Sequence, residues 1–197
     1  MVKINQANQM LALDKSWTLF LDRDGVINRR LPGGYVCKWE EFHWLPGVLE
    51  AIAGLTQNAG RAFVVTNQQG IGKGLMTEKN LEQIHARMRK EITAAGGRID
   101  AVYYCPDLSS AVPNCRKPQP AMALRARDEF PEVDFQRSVM VGDSLSDMQF
   151  GQALGMFNVL IATKAEEMEF IRKAQDRGLK IDAQFDSLYN FYASVLL

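Results

Sequence analysis

Short apolar runs alternate with longer amphipathic stretches along the chain. Thr18-Leu19-Phe20-Leu21 is the first run and stops at Asp22. It reads as a buried strand. Similar runs recur at 62–65, ending at Thr66, at 101–104, at 138–141, ending at Gly142-Asp143, and at 158–161. Between them, apolar residues fall at helical spacing. Pro46 and Gly47 open a helix carrying Val48, Leu49, Ile52 and Leu55, which stops near Gly60. A long helix follows Thr77, with Leu81, Ile84, Met88 and Ile92 on one face, and closes at Gly96-Gly97. Further helices are predicted from about 120 to 130, 145 to 154 and 166 to 177, and from Ser187 onward. Residues 29–45 are irregular and rich in aromatics: Tyr35, Trp39, Phe42 and Trp44.

This alternation predicts an α/β fold, a Rossmann-like and mostly parallel sheet with helices on both faces. No large insertion follows the first or third strand, so no large cap domain is expected. Repeats, low-complexity tracts and Pro/Gly/Ser-rich linkers are all missing, and 1–197 reads as a single domain. In such sheets ligands bind at the carboxyl ends of the strands. That directs attention to Asp22 and Asp24, Thr66 and Asn67, and Asp143, with Arg116 and Lys117 after the third strand.

Charge narrows the partners. Lys+Arg and Asp+Glu both count 23, so the formal net charge is zero. Nothing pulls the whole molecule toward nucleic acid or an anionic membrane. Residues 1–15 hold no apolar run of signal-peptide type, and no stretch approaches the roughly 20 apolar residues a bilayer requires. The three cysteines, Cys37, Cys105 and Cys115, are too few for a disulfide scaffold. They point to a cytoplasmic setting with free or metal-bound thiols. The expectation is a monomer acting on a small-molecule phosphate ester.

Phosphate-ester chemistry is suggested by what could meet at the strand ends. Hydrolysis of a monoester is among the slowest uncatalysed reactions, so a site must supply on the order of 20 kcal/mol. It needs a nucleophile, an acid for the leaving oxygen and positive charge against the phosphate. In extended chain Asp22 and Asp24 project to the same side, so one can attack while the other handles protons. Gly25 permits a sharp turn after them. A carboxylate cluster repels a phosphate unless a hard cation lies between, and magnesium prefers such oxygen ligands. Each residue also has a plainer reading. The acids could cap a turn, Thr66 could end a strand, Lys117 could be a solvated charge, and Asp143 could cap the next helix. Asp147, one helical turn further on, is open between a supporting residue and a surface acid.

Four strings taken together decide between these readings. Asp22-Arg23-Asp24-Gly25-Val26-Ile27-Asn28, Thr66-Asn67-Gln68, Arg116-Lys117-Pro118 and Val141-Gly142-Asp143-Ser144-Leu145-Ser146-Asp147-Met148 resemble the haloacid dehalogenase (HAD) superfamily of phosphatases. Gly34-Tyr35-Val36, Gly70-Ile71-Gly72-Lys73-Gly74 and Tyr103-Tyr104-Cys105-Pro106 are similar to its heptose bisphosphate and histidinol phosphatase branch. The resemblance runs from about residue 18 to 162. It implies that Asp22 is a nucleophile forming an aspartyl-phosphate and that Asp24 is the general acid and base. It implies Mg2+ held by Asp22, the backbone carbonyl of Asp24, and Asp143. Thr66 would donate to the phosphate and Lys117 would offset its charge. Asn28, Gly34, Tyr35, Asn67, Gln68 and Arg116 would contact the substrate, Arg116 as a bidentate grip on a second anionic group.

One departure concerns zinc. The branch often carries a zinc loop with C-P-H and then C-x-C before R-K-P. Here the strings are Cys105-Pro106-Asp107 and Pro113-Asn114-Cys115. Proline cannot ligate, and a structural zinc normally takes four protein ligands. The expectation is magnesium without zinc, leaving Cys105 and Cys115 free. Among functions, a heptose-type sugar bisphosphate phosphatase comes first and histidinol-phosphate phosphatase second, the latter wanting a carboxylate such as Glu40 or Glu41 for the amine. A silent binding module would have lost a motif residue, and none is lost. A nucleic-acid 3′-phosphatase would want a basic stripe that this chain does not have.

Overall fold

Leu19 and Leu21 face one side of a sheet and Phe20 the other, and the whole architecture follows that two-residue period. The computed structural model describes residues 11–163 and 165–196. Its strands are β1 (Thr18–Leu21), β2 (Arg61–Asn67), β3 (Ala101–Cys105), β4 (Ser138–Gly142), β5 (Phe157–Ile161) and β6 (Ala183–Phe185). They form one sheet in the order β3-β2-β1-β4-β5-β6, and every neighbouring pair is parallel. The helices are α1 (Val48–Asn58), α2 (Glu78–Ala94), α3 (Ala121–Glu129), α4 (Leu145–Leu154), α5 (Ala165–Gln175) and α6 (Leu188–Leu196).

Both faces are buried, which is why the strands read as unbroken apolar runs. Leu19, Leu21, Val64, Val139 and Val141 pack with Ile52 and Leu55 of α1, Ile84 and Met88 of α2 and Phe191 of α6. On the other face Phe20, Phe63, Val65 and Met140 pack with Met122 and Ala126 of α3 and Phe150 of α4. Each of the larger side chains contributes about 1.5–3 kcal/mol when fully buried. Leu160, Met148 of α4 and Ile171 of α5 extend that second layer.

Two helix starts are fixed by reciprocal caps. The Thr77 hydroxyl accepts from the Asn80 backbone N–H, and the Asn80 side chain accepts from that of Thr77. Ser144 and Asp147 do the same for α4. A cap of this kind stabilises a helix start by about 1 kcal/mol.

The sheet carries one strand more than the five the apolar runs predict. β6 is three residues long and only partly buried at the sheet edge, so it leaves no periodic signal. The connections after β1 and β3 contain loops and single helices, and no cap domain, among the described residues. None of the described helices is long and apolar enough to cross a membrane.

The cysteines correct the expectation of free thiols. Cys105 and Cys115 form a disulfide, with Cα atoms 5.5 Å apart. After β3 the chain runs out over the strand ends and returns just before Arg116, which brings the two residues within bridging reach. The nine residues of irregular sequence between them do not announce that return. Asp107 lies inside the closed segment, its Oδ2 accepting from the Cys115 backbone N–H at 2.9 Å. The sulfurs and the Asp107 carboxylate lie within 4.8 Å of one another. While bonded together, the sulfurs offer no thiolate to a metal ion. Cys37 is free.

Candidate active site

The strand order reverses beside β1, and the two acids that flank the reversal are Asp22, at the end of β1, and Asp143, at the end of β4. That crevice is where an open α/β sheet binds ligands. A cavity of about 510 Å³ opens there, lined by Asp22, Asp24, Thr66 and Lys117 at its floor. Gly34, Tyr35, Asn67, Lys73 and Arg116 line it too.

Lys117 is the hub of the floor. Its Nζ lies 2.7 Å from Asp22 Oδ1, 2.6 Å from Asp147 Oδ1 and 2.7 Å from the Val65 carbonyl. Burial alone would depress this ammonium, but Asp147 and Asp22 outweigh it and hold Lys117 above its ordinary range. Asn67 fixes the Lys117 backbone, accepting from its N–H at 2.9 Å and donating to its carbonyl at 3.3 Å. Asn67 thus braces the loop as well as lining the cavity. Asp147 is no surface acid: it is buried, caps α4 and pins Lys117.

Asp24 is gripped from three sides. Arg23 Nη2 reaches both its oxygens at 3.0 and 2.9 Å, Asn28 Nδ2 donates to Oδ1 at 2.9 Å, and Gln68 Nε2 to Oδ2 at 2.9 Å. Burial would raise this carboxyl, but the Arg23 charge and these donors hold it below the ordinary range. Gln68 also donates to the Thr66 hydroxyl at 2.8 Å. Asn28 and Gln68, expected at the substrate, are buried behind the cavity with their amides committed to Asp24. Gly34 and Tyr35 do face the cavity, where the Tyr35 hydroxyl accepts from Gln69 at 2.7 Å and Lys73 Nζ lies 5.2 Å over the ring. Arg116 faces it as well, with Nη1 donating to the Asp107 carbonyl at 3.2 Å. The tryptophans serve packing: Trp39 stacks on Phe42 at 4.7 Å, and Trp44 donates to Glu91 at 2.8 Å.

The floor is short of positive charge. The Asp22 carboxyl is pushed up to about 7, first by burial, with Lys117 pulling it down and Asp147, Asp143 and Asp24 raising it further. Asp22, Asp143 and Asp147 each place one carboxylate oxygen within 4.8 Å of the others. The Arg30 guanidinium reaches in to donate to the Asp24 carbonyl at 3.1 and 3.3 Å and to Asp143 Oδ1 at 2.8 Å. Converging oxygens that already attract a cation fit a small, hard divalent ion. No sequence pattern marks Arg23 or Arg30 for this site, or His85 of α2, whose Nε2 lies 3.1 Å from Arg23 Nη1. A charge on the odd position of the Asp22–Asp24 string must point away from the cavity, and that was the available sign that Arg23 needed a buried partner.

A family model described as HAD-hydrolase-like matches residues 114–189. The D-glycero-alpha-D-manno-heptose-1,7-bisphosphate 7-phosphatase of Mycobacterium tuberculosis (strain ATCC 25618 / H37Rv) is 41% identical over 179 residues, 91% of each chain. The chain belongs to this phosphatase family. Its members with the beta-anomer name include the Pseudomonas putida protein, 39% identical over 83% of this chain and 93% of its own. The crystal structure of D,D-heptose 1.7-bisphosphate phosphatase from B. bronchiseptica superimposes with a TM-score of 0.79 at 32% identity, covering 91% of this chain and 98% of that one. It holds magnesium and phosphate. As a member of that family, this chain is a phosphatase.

Proposed function

We propose that the chain removes the 7-phosphate of a D-glycero-D-manno-heptose 1,7-bisphosphate through an aspartyl-phosphate on Asp22. The observation that carries this reading is the 2.7 Å contact between Asp22 and Lys117 on the cavity floor, with Lys73 and Arg116 lining the same cavity. One set of cations meets the transferred phosphate and the other remains for the second. Of the carboxylates a histidinol amine would want, Glu40 and Glu41 do not line the cavity and Glu167 does, so the contrast with histidinol phosphate rests on the cations. Zero net charge and a cavity of small-molecule size support a diffusible substrate rather than a nucleic acid or membrane partner.

Asp22, the Asp24 carbonyl and Asp143 would hold Mg2+, which neutralises the carboxylates and the phosphate when bound. Asp22 attacks phosphorus in its ionised form. Lys117, fixed by Asp147 and Val65, keeps that oxygen oriented and opposes the charge on the phosphoryl oxygens. The Thr66 hydroxyl, oriented by Gln68, donates to a phosphate oxygen. Asp24 protonates the departing sugar oxygen. It then takes a proton from the water that hydrolyses the aspartyl-phosphate. Arg23 and the surrounding donors favour the carboxylate form of Asp24 that this second half requires, so the proton for the first half must be taken up from solvent or from the substrate's phosphate before the sugar oxygen leaves.

The test is a phosphatase assay on both anomers of heptose 1,7-bisphosphate, heptose 7-phosphate, histidinol phosphate and a 3′-phosphorylated oligonucleotide. Preference for one bisphosphate anomer, lost in Asp22→Asn, is the expected result. Equal turnover of histidinol phosphate would remove the heptose assignment. Wild-type activity in Asp22→Asn would remove the covalent step.

A further inference from the structure

Arg30 stands where a metal ion would be wanted. It belongs to the irregular segment after β1, and its side chain is 42% exposed at the cavity mouth. Yet its tip reaches a carboxylate whose side chain is fully buried. Nη2 lies 3.1 Å from the Asp24 carbonyl oxygen and 2.8 Å from Asp143 Oδ1, and Nε adds a second contact to the same carbonyl at 3.3 Å. These two groups belong to the proposed magnesium ligand set. A guanidinium cannot lose its charge in a protein, so it can answer such a cluster only by staying or by leaving.

We infer that Arg30 is an exchangeable internal cation: it neutralises the Asp24 carbonyl–Asp143 site in the metal-free enzyme and is displaced from it by Mg2+. An ordinary exposed ion pair has little to hold it in place. This one differs because the carboxyl groups of Asp22, Asp143 and Asp147 converge behind it in a region with little water, and Asp24 acts on it as well. A small divalent ion bound to the same two oxygens would repel a guanidinium there, so occupancy by one excludes the other. The half-exposed stem lets the tip swing to the cavity mouth without unpacking the core. The apparent affinity for Mg2+ is then lowered by the fraction of molecules in which Arg30 holds the site. Exchange also spares the apo protein a naked carboxylate cluster.

The inference rests on the proposed ligand set, and two variants separate their failures. Mg2+ binding is measured by calorimetric titration of chelator-stripped protein, without substrate. Arg30→Gln should bind Mg2+ about tenfold more tightly than wild type, the loss of one charged hydrogen-bonding competitor. Asp143→Asn should lose most Mg2+ binding. In thermal melts, Arg30→Gln should unfold at a lower temperature than wild type in chelator and gain more from added Mg2+. An unchanged or weaker Mg2+ affinity in Arg30→Gln, with binding lost in Asp143→Asn, would overturn the role of Arg30 alone. Undiminished binding in Asp143→Asn would overturn the ligand set and the exchange with it.

Discussion

Arg23 Nη1 lies 3.1 Å from Nε2 of His85, while Nη2 of the same guanidinium holds both oxygens of Asp24. Arg23 is fully buried, so its position is set by these two partners and the packing around them. With Nη1 donating, Nε2 must accept, and His85 is held as neutral imidazole. Burial, and then the Arg23 charge, push its pKa down to about 3. His85 on α2 is thus a positioning residue for Asp24.

A histidine depressed in the folded state costs stability as pH falls. The unfolded chain takes up a proton below about pH 6.5 and the folded chain does not until about pH 3. Within that window stability should drop by up to about 1.4 kcal/mol per pH unit from this group. Asp24 acts lower, because its depressed carboxyl loses its contribution below the ordinary aspartate range. His85→Gln, which can still accept from Arg23, should flatten the fall in Tm between pH 6.5 and 4.5. A slope identical to wild type would show that His85 is already protonated in the fold.

Gly25 offers a second check, on backbone geometry. Its φ is +103°, a region side chains avoid, and a Cβ there would stand 1.9 Å from Asp143 Oδ2. The strain falls on the turn and the clash on a proposed magnesium ligand, Asp143. Gly25→Ala should therefore lower activity by an order of magnitude or more and raise the Mg2+ requirement, and should cost about 1–3 kcal/mol of stability. Unaltered magnesium dependence would mean that Asp143 yields freely and is not held for the metal.

Residues whose chemistry lies at strand ends were the legible part of the site. Asp22, Thr66 and Asp143 follow apolar runs, and parallel strands bring their carboxyl ends to one edge. The five long strands and six helices follow from the same two periodicities. What stayed hidden depends on contacts between distant segments. Arg30 reaches Asp143 across 113 positions, and His85 reaches Arg23 across 62, through side chains that carry no periodic mark. Asn28 and Gln68 have the right chemistry for a sugar. Their burial, visible in three dimensions alone, turns them to Asp24 instead.

The closed segment from Cys105 to Cys115 makes a chemical prediction. Thiol titration of denatured, unreduced protein should find one reactive cysteine, Cys37, and reduction should raise the count to three. Less than one zinc per chain should accompany the oxidised form. Three thiols without reductant, with stoichiometric zinc lost in Cys105→Ser and Cys115→Ser, would show that Cys105, Asp107 and Cys115 hold a metal ion in place of the bond.

Arg116 and Lys117 are adjacent but committed differently. Lys117 is buried on Asp22 and Asp147, so on the proposed reading it serves the group being transferred whatever the rest of the substrate. Arg116 has one arm on the Asp107 carbonyl and faces the cavity beside Tyr35 and Lys73. On the proposed reading, that tether leaves the rest of its planar fork for a second anionic group, which an aryl phosphate does not have. Arg116→Ala should therefore lower kcat/KM for a heptose bisphosphate by roughly one to two orders of magnitude, about 1.5–3 kcal/mol, and leave an aryl phosphate nearly untouched. Lys117→Ala should impair both alike. If Arg116 instead braces the loop through the Asp107 carbonyl, both substrates will fall together and Tm will drop with them. The ratio of the two specificity constants in wild type and Arg116→Ala decides, because only recognition of the second group can change it.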